Sequence, residues 1–245
     1  HPRRKYHRGH KESGIHRQTV AGGEAPAHHC RPPTNSSPVN EIPRTDPAPA
    51  NNPARRDALL SPVVAGAWRM AEWGFQVAAR VRWIEQCIAL GITSFDHADI
   101  YGDYNVEALF GEALAAAPAL RRQIRIVTKC GIKLISAARP AHRIKSYDSS
   151  RDHLRASVAQ SLRALHTDHI DLLLMHRPDL LMDPDELAAT LAELKAEGKI
   201  GHAGVSNHRP SQLALLHQRH ALASHQIELS VLQLAALEDG TLDQC

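Results

Sequence analysis

The chain has 245 residues, of which 43% are hydrophobic, 22% charged and only 4% aromatic, enough for one sizeable domain with a mainly aliphatic core. Its net charge of +3 is unevenly placed: the first 57 residues carry five more basic than acidic side chains, and the remainder carries two more acidic than basic ones. A slightly acidic body argues against a nucleic-acid partner, and no apolar run of about 18 residues is present to span a membrane.

Residues 1–57 hold nine of the 15 prolines, six of the 17 histidines and a single aromatic, Tyr6, with no helical or strand period. Such a tail cannot bury enough apolar surface to offset chain entropy and is expected to be disordered. Metal binding at His28, His29 and Cys30 is the alternative, but no paired ligand spacing supports it, and no metal is expected. The chain opens on His1 rather than Met, so its native start is expected elsewhere. No charged run followed by an apolar stretch marks a signal peptide. The four cysteines, Cys30, Cys87, Cys130 and Cys245, form no Cys-x-x-Cys pair, which points to a reducing, cytoplasmic setting.

Residues 58–245 read as an alternation of strands and helices. The first strand is Pro62–Ala67. A helix follows with Val77, Val81, Ile84 and Ile88 on one face, and it stops at Gly91. The second strand is Ile92–Asp96, and the second helix runs from near Asn105 to Ala117, before Pro118. The third strand is Ile124–Lys129, turning at Gly131. The third helix opens on a capping box at Ser149-Ser150-Arg151-Asp152 and buries Leu154, Val158, Leu162 and Leu165. The fourth strand, Ile170–Met175, is the nearly continuous apolar run of a parallel strand. The fourth helix begins at Asp183-Pro184-Asp185-Glu186, with an N-cap, a first-turn proline and an acidic first turn, and ends at Gly198. A fifth strand at Ile200–Val205, a helix from Pro210 presenting Leu213 and Leu216, and a sixth strand at His225–Leu229 complete the pattern. A last helix is expected to begin at Asp239.

This alternation implies right-handed βαβ units and a parallel sheet. A doubly wound sheet is the rival, but no Gly-x-Gly-x-x-Gly turn follows the first strand. Several strands end on polar residues: Asp96 with Tyr101 beyond it, Lys129, His176, and Ser206-Asn207, while Gln226 lies in the sixth. Taken singly, Lys129 reads as a surface lysine, His176 as a structural histidine, Asp96 as a loop cap and Tyr101 as a packing aromatic. Together, at the C-terminal ends of successive strands of a parallel barrel, they converge on the face that carries active sites.

Phe95-Asp96-His97-Ala98-Asp99-Ile100-Tyr101-Gly102 resembles the aldo-keto reductase signature, in which an Asp precedes the catalytic Tyr by five. Ile126-Val127-Thr128-Lys129 resembles the strand bearing that family's lysine, and Leu173-Leu174-Met175-His176-Arg177-Pro178 its histidine segment. Gly204-Val205-Ser206-Asn207 and His225-Gln226-Ile227-Glu228 resemble its nicotinamide-holding segments, and Gly66-Ala67-Trp68-Arg69 is similar to the opening of bacterial oxidoreductases in the family. The resemblance covers roughly residues 60–245. It implies a TIM-type (β/α)8 barrel, incomplete here, with about six βα units present and the last two missing. It implies Tyr101 as general acid, Lys129 favouring its phenolate, Asp96 holding Lys129, and His176 orienting a small carbonyl substrate. Ser206, Asn207 and Gln226 would grip the nicotinamide of NADP, and Trp68 would line the substrate pocket. The implied reaction is reduction of aldehydes or ketones to alcohols. The alternatives are a cofactor-binding regulatory module resembling channel β-subunits, or an inactive fragment of the reductase.

Overall fold

A computed structural model describes residues 58–245; the expectations for the tail, including His28, His29 and Cys30, lie outside the described residues. Six strands form one all-parallel sheet: β1 (Val64–Gly66), β2 (Ser94–Asp96), β3 (Arg125–Cys130), β4 (Ile170–Met175), β5 (Ile200–Ser206) and β6 (His225–Gln226). Between them run helices α1 (Val77–Ala89), α2 (Val106–Ala116), α3 (Arg151–Ala164), α4 (Pro184–Ala196) and α5 (Pro210–His217). Each strand pairs with its neighbours in chain order, without a reversal. A doubly wound sheet reverses its order at a switch point, whereas a barrel wall does not; the sheet is part of a (β/α)8 barrel.

Alternation along the strands sorts the core into two layers. Val127 is in register with Leu172, and these two with Leu174 form an inner cluster on which Leu59 and Leu60 pack. The opposite faces carry Phe95 and Ile126 toward α1 and α2, and Leu173, Met175, Ala203 and Val205 toward α3, α4 and α5. Asp171 enters the second layer at the other end of the barrel wall. It is buried, and its carboxylate accepts from Arg121 at 2.9 Å, from Arg125 at 3.1 Å and from the Ile126 N–H at 2.9 Å.

The element boundaries differ from expectation where side chains compete for the backbone. β2 starts at Ser94 rather than Ile92, because the Thr93 and Ser94 N–H groups donate to the Ser61 hydroxyl. β1 starts at Val64, since Pro62 offers no N–H to a ladder. β6 stops at Gln226 because the Glu228 N–H is taken by the Asn207 side chain at 2.9 Å. The cap of α3 is Ser150 alone, accepting from the His153 N–H; Ser149 instead donates through N–H and hydroxyl to Asp179, so the capping box is not formed. At α4 the Asp183 carboxylate accepts from the Asp185 and Glu186 N–H groups as expected. An antiparallel hairpin pairing Ile132–Lys133 with Ser146–Tyr147 was not foreseen, and two single turns, Ala235–Glu238 and Thr241–Gln244, replace the expected last helix.

Helix α2 meets the end of α3 at Gly111, where a Cβ would collide with the Ala164 carbonyl. Backbone cannot step aside as a flexible side chain can, so Gly111→Ala should destabilise the fold by about 1–3 kcal/mol or more through overpacking. Urea unfolding of the two proteins checks this, and an unchanged midpoint would mean the helices are free to separate.

Candidate active site

The parallel register places Asp96 beside Val127, so Asp96 and Lys129, two residues farther along β3, lie on the same face of the sheet. Lys129 is 2% exposed. Its ammonium donates to both Asp96 oxygens, at 2.7 and 2.6 Å, to the His97 carbonyl at 2.8 Å and to the Tyr101 hydroxyl oxygen at 3.0 Å. A buried ammonium needs an acceptor for each of its three N–H groups, and this site supplies them. Because the Tyr101 oxygen accepts from Lys129, its own hydrogen is free to be donated elsewhere.

Tyr101 reaches this position through an abrupt turn. Gly102, Asp103 and Tyr104 adopt φ of 56°, 56° and 66°. Gly102 comes so close to Val106 that a Cβ would lie 2.8 Å from its Cγ2. Asp103 and Tyr104 hold this left-handed conformation without that freedom. The Tyr104 hydroxyl accepts from the Leu134 N–H at 2.9 Å, which ties the turn to the hairpin beyond β3.

His176 follows β4, its N–H donating to the Cys130 carbonyl at 2.9 Å. Its ring stands edge-on to Tyr101, with centroids 5.9 Å apart. Burial, then the charges of Lys129 and Arg177, push its pKa down to about 3, so it is neutral at physiological pH and presents one N–H and one acceptor. Its Nδ1 is buried without a partner among the described residues. Trp68 also lies near Tyr101, at 6.4 Å between centroids, largely exposed, with the Arg69 guanidinium 5.7 Å from the centre of its ring.

Ser206, Asn207 and Gln226 gather at the ends of β5 and β6. The Asn207 amide donates to the Ser206 hydroxyl at 3.2 Å, the Asn207 N–H donates to the Gln226 carbonyl at 2.9 Å, and the Gln226 amide reaches Asp96 at 3.4 Å. All eight residues named from the sequence therefore stand at the C-terminal end of the sheet. Two groups were missed. The His97 carbonyl is a backbone acceptor, for which a sequence carries no signal. Asp99 and Glu107 are charged residues that are buried; Asp99 was quoted only as part of a motif and Glu107 as part of a helix. Among the described residues no group of three His, Cys, Asp or Glu side chains could hold a metal ion, and no helix is long and apolar enough to cross a membrane.

The chain thus carries a lysine, a carboxylate, a tyrosine and a histidine together on a barrel wall, and residues 62–241 match the model of the aldo/keto reductase family. The chain belongs to that family. It is 50% identical over 191 residues to the uncharacterized oxidoreductase YcsN of Bacillus subtilis (strain 168), covering 77% of this chain and 64% of that protein. It is 45% identical over 186 residues to a 6-dehydroglucose reductase of Agrobacterium fabrum, covering 75% of this chain and 63% of the relative. Among solved structures, the glycerol dehydrogenase AKR11B4 from Gluconobacter oxydans superposes with a TM-score of 0.64 at 31% identity, over 74% of this chain and 55% of that one. The chain thus spans less than two thirds of the length of these relatives.

Aldo/keto reductases use nicotinamide cofactors, and the residues present suit the nicotinamide end of one. A carboxamide needs both donors and acceptors; Ser206, Asn207 and Gln226 offer a hydroxyl and two amides at the ends of β5 and β6.

His97 gives a separate check on the electrostatics. Its ring is fully buried 4.4 Å from that of Phe110, with neither nitrogen partnered among the described residues. Burial and the Lys129 charge push its pKa from 6.5 to about 3. The unfolded chain thus takes up a proton that the folded chain refuses. The contribution to stability is complete above pH 6.5 and is lost as the pH falls toward 3. His97→Leu should flatten the acid decline of stability by about 1.4 kcal/mol per pH unit between roughly pH 6 and 4. Urea unfolding at a series of pH values checks this, and parallel pH dependences for the two proteins would exclude a neutral His97.

Proposed function

We propose that this protein reduces aldehydes or ketones to alcohols, with NADPH as the hydride donor and Tyr101 as the proton donor. The observation that carries the reading is the Lys129 ammonium, 3.0 Å from the Tyr101 oxygen and held there by Asp96. When bound, NADPH supplies the hydride. The protein's own residues do the rest. Neutral His176 donates a hydrogen bond to the substrate carbonyl oxygen, holding it within reach of the Tyr101 hydroxyl. Tyr101 passes its proton to that oxygen as negative charge gathers there, and the phenolate left behind is stabilised by Lys129. Asp96 keeps the ammonium charged and aimed. Ser206, Asn207 and Gln226 hold the carboxamide so that one ring face meets the substrate, since transfer needs near-contact geometry. Trp68 forms the apolar wall of the substrate pocket.

The preference for NADPH over NADH comes from the family resemblance, and paired assays with both test it. Two relatives are named for 6-dehydroglucose reduction and for glycerol dehydrogenation, which makes hydroxylated carbonyl compounds the first substrates to try. A cytoplasmic location agrees with Cys87 and Cys130, which are free buried thiols.

Tyr101→Phe removes one hydroxyl and leaves the ring contacts with Trp68 and His176. Reduction should fall about 10²–10⁴-fold with nicotinamide binding little changed, the usual size of a general-acid contribution. Near-normal turnover in that variant would refute Tyr101 as the donor. Lys129→Met should lower the rate and also move the pH profile of reduction, because the charge that stabilises the phenolate is gone; a slower enzyme with an unmoved profile would give Lys129 a different role.

A further inference from the structure

Behind the strand that carries Lys129 lies a second set of buried polar side chains that the proposed chemistry does not use. Lys129 faces the barrel axis, so its neighbours Thr128 and Cys130 face the helices. The Thr128 hydroxyl donates to the Glu107 carboxylate of α2 at 2.5 Å, and Thr128, Glu107, Cys130 and Ser161 of α3 are all buried. Asp99, on the loop after β2, joins them, its N–H held by the Lys129 carbonyl at 3.0 Å. One oxygen of Asp99 is buried with no hydrogen-bond partner among the described residues.

Two carboxyls in an apolar layer repel each other, and neither is easily ionised. Burial, reinforced by the Glu107 charge, holds Asp99 well above the usual carboxylate range. Burial also raises Glu107, but there the Thr128 and Ser161 hydroxyls and the Lys129 ammonium work in the other direction. The remaining groups facing the pair are the Cys130 thiol, pushed up by burial and by both carboxyls, the Ser157 hydroxyl and the Arg139 charge acting on Asp99, and neutral His97, packed on Phe110 of α2. Available donors decide where a single negative charge rests. The short bond from Thr128 goes to Glu107, where the Ser161 hydroxyl and the Lys129 ammonium also favour the charged form, while Asp99, though it has the Ser157 hydroxyl and the Ile100 N–H, keeps one oxygen orphaned; of the two, Glu107 is the better placed to carry a single negative charge.

We propose that Glu107 is a positioning residue for the reaction: its carboxylate, held by Thr128 on the helix side of β3, balances the Lys129 ammonium from behind and so sets how much positive potential reaches the Tyr101 oxygen. This inference rests on the reading of Tyr101 as proton donor. Asp96 and Glu107 then share the ammonium from the two faces of one strand, Asp96 by direct contact and Glu107 through the field alone.

The test is Glu107→Gln, which keeps an oxygen to accept from Thr128 and removes only the charge. With more positive potential at Tyr101, its phenol should ionise at a lower pH, by about half to one unit for the loss of one buried negative charge. Absorbance near 295 nm reads this in the chain without cofactor, and subtracting the matching Tyr101→Phe variants removes the signals of the other tyrosines. The alkaline limb of the kcat profile should move the same way, and Asp99→Asn should leave the Tyr101 midpoint where it is. An unmoved or raised midpoint in Glu107→Gln, or a shift produced by Asp99→Asn instead, would overturn the proposal. Should Glu107→Gln fail to fold, Thr128→Val keeps the shape and removes the donor; it should lower the midpoint too, and an unmoved midpoint there is equally fatal. Carbonyl reduction with no shift sinks this inference alone, whereas the expected shift in a chain without reduction sinks the reductase reading alone.

Discussion

A lysine ammonium with almost no access to water organises this end of the barrel. Taking Lys129 out of solvent costs several kcal/mol unless every N–H is met and the charge is balanced. The partners come from three separate stretches of backbone: the end of β2, the carbonyl after it, and a turn four residues on. Satisfying the ammonium therefore fixes the path of residues 96–101. The register of β2 on β3 does the rest, since it sets Asp96 level with Val127 and lets a long side chain bend back across roughly two residues of strand, about 7 Å. A shift of one residue would send Lys129 to the helix side and leave Asp96 buried without its partner.

What could be read in the sequence follows from the same alternation. The helices were legible where a cap carried the signal, as with the carboxylate of Asp183 before Pro184. The strands were legible where an apolar run was long, as in Ile170–Met175, and their polar terminal residues were legible because the fold gathers strand ends. The short strands were not. β2 and β6 hold three and two residues, too few to establish a period, and their ends are decided by which side chain captures a backbone N–H. The Ser61 hydroxyl and the Asn207 amide make that choice from a distance of 33 and 21 residues. The His97 carbonyl was invisible for a related reason, since a backbone acceptor is the same in every residue. Glu107 was hidden by its helix, where an acidic residue ordinarily faces water.

Charge on the barrel wall is thus arranged on both sides of one strand. Inward, Asp96 touches the ammonium. Outward, the Thr128 and Ser161 hydroxyls oppose the upward push of burial on the Glu107 carboxyl. Neutral His97 and His176 flank the ammonium without adding charge, and Lys129 is itself part of the reason they stay neutral. Burial is the larger cause at both, and one buried cation adds to it at two histidines, one in the mouth and one in the wall.

The cofactor-holding candidates are wired into the same centre. Gln226 extends its amide toward Asp96, a long contact of 3.4 Å, while Asn207 is fixed by its own bonds to Ser206, to the Gln226 carbonyl and to the Glu228 N–H. Asn207 holds φ of 51° to make them, a conformation that Asn tolerates better than most residues. A carboxamide drawing on the Gln226 amide would therefore compete with Asp96 for it.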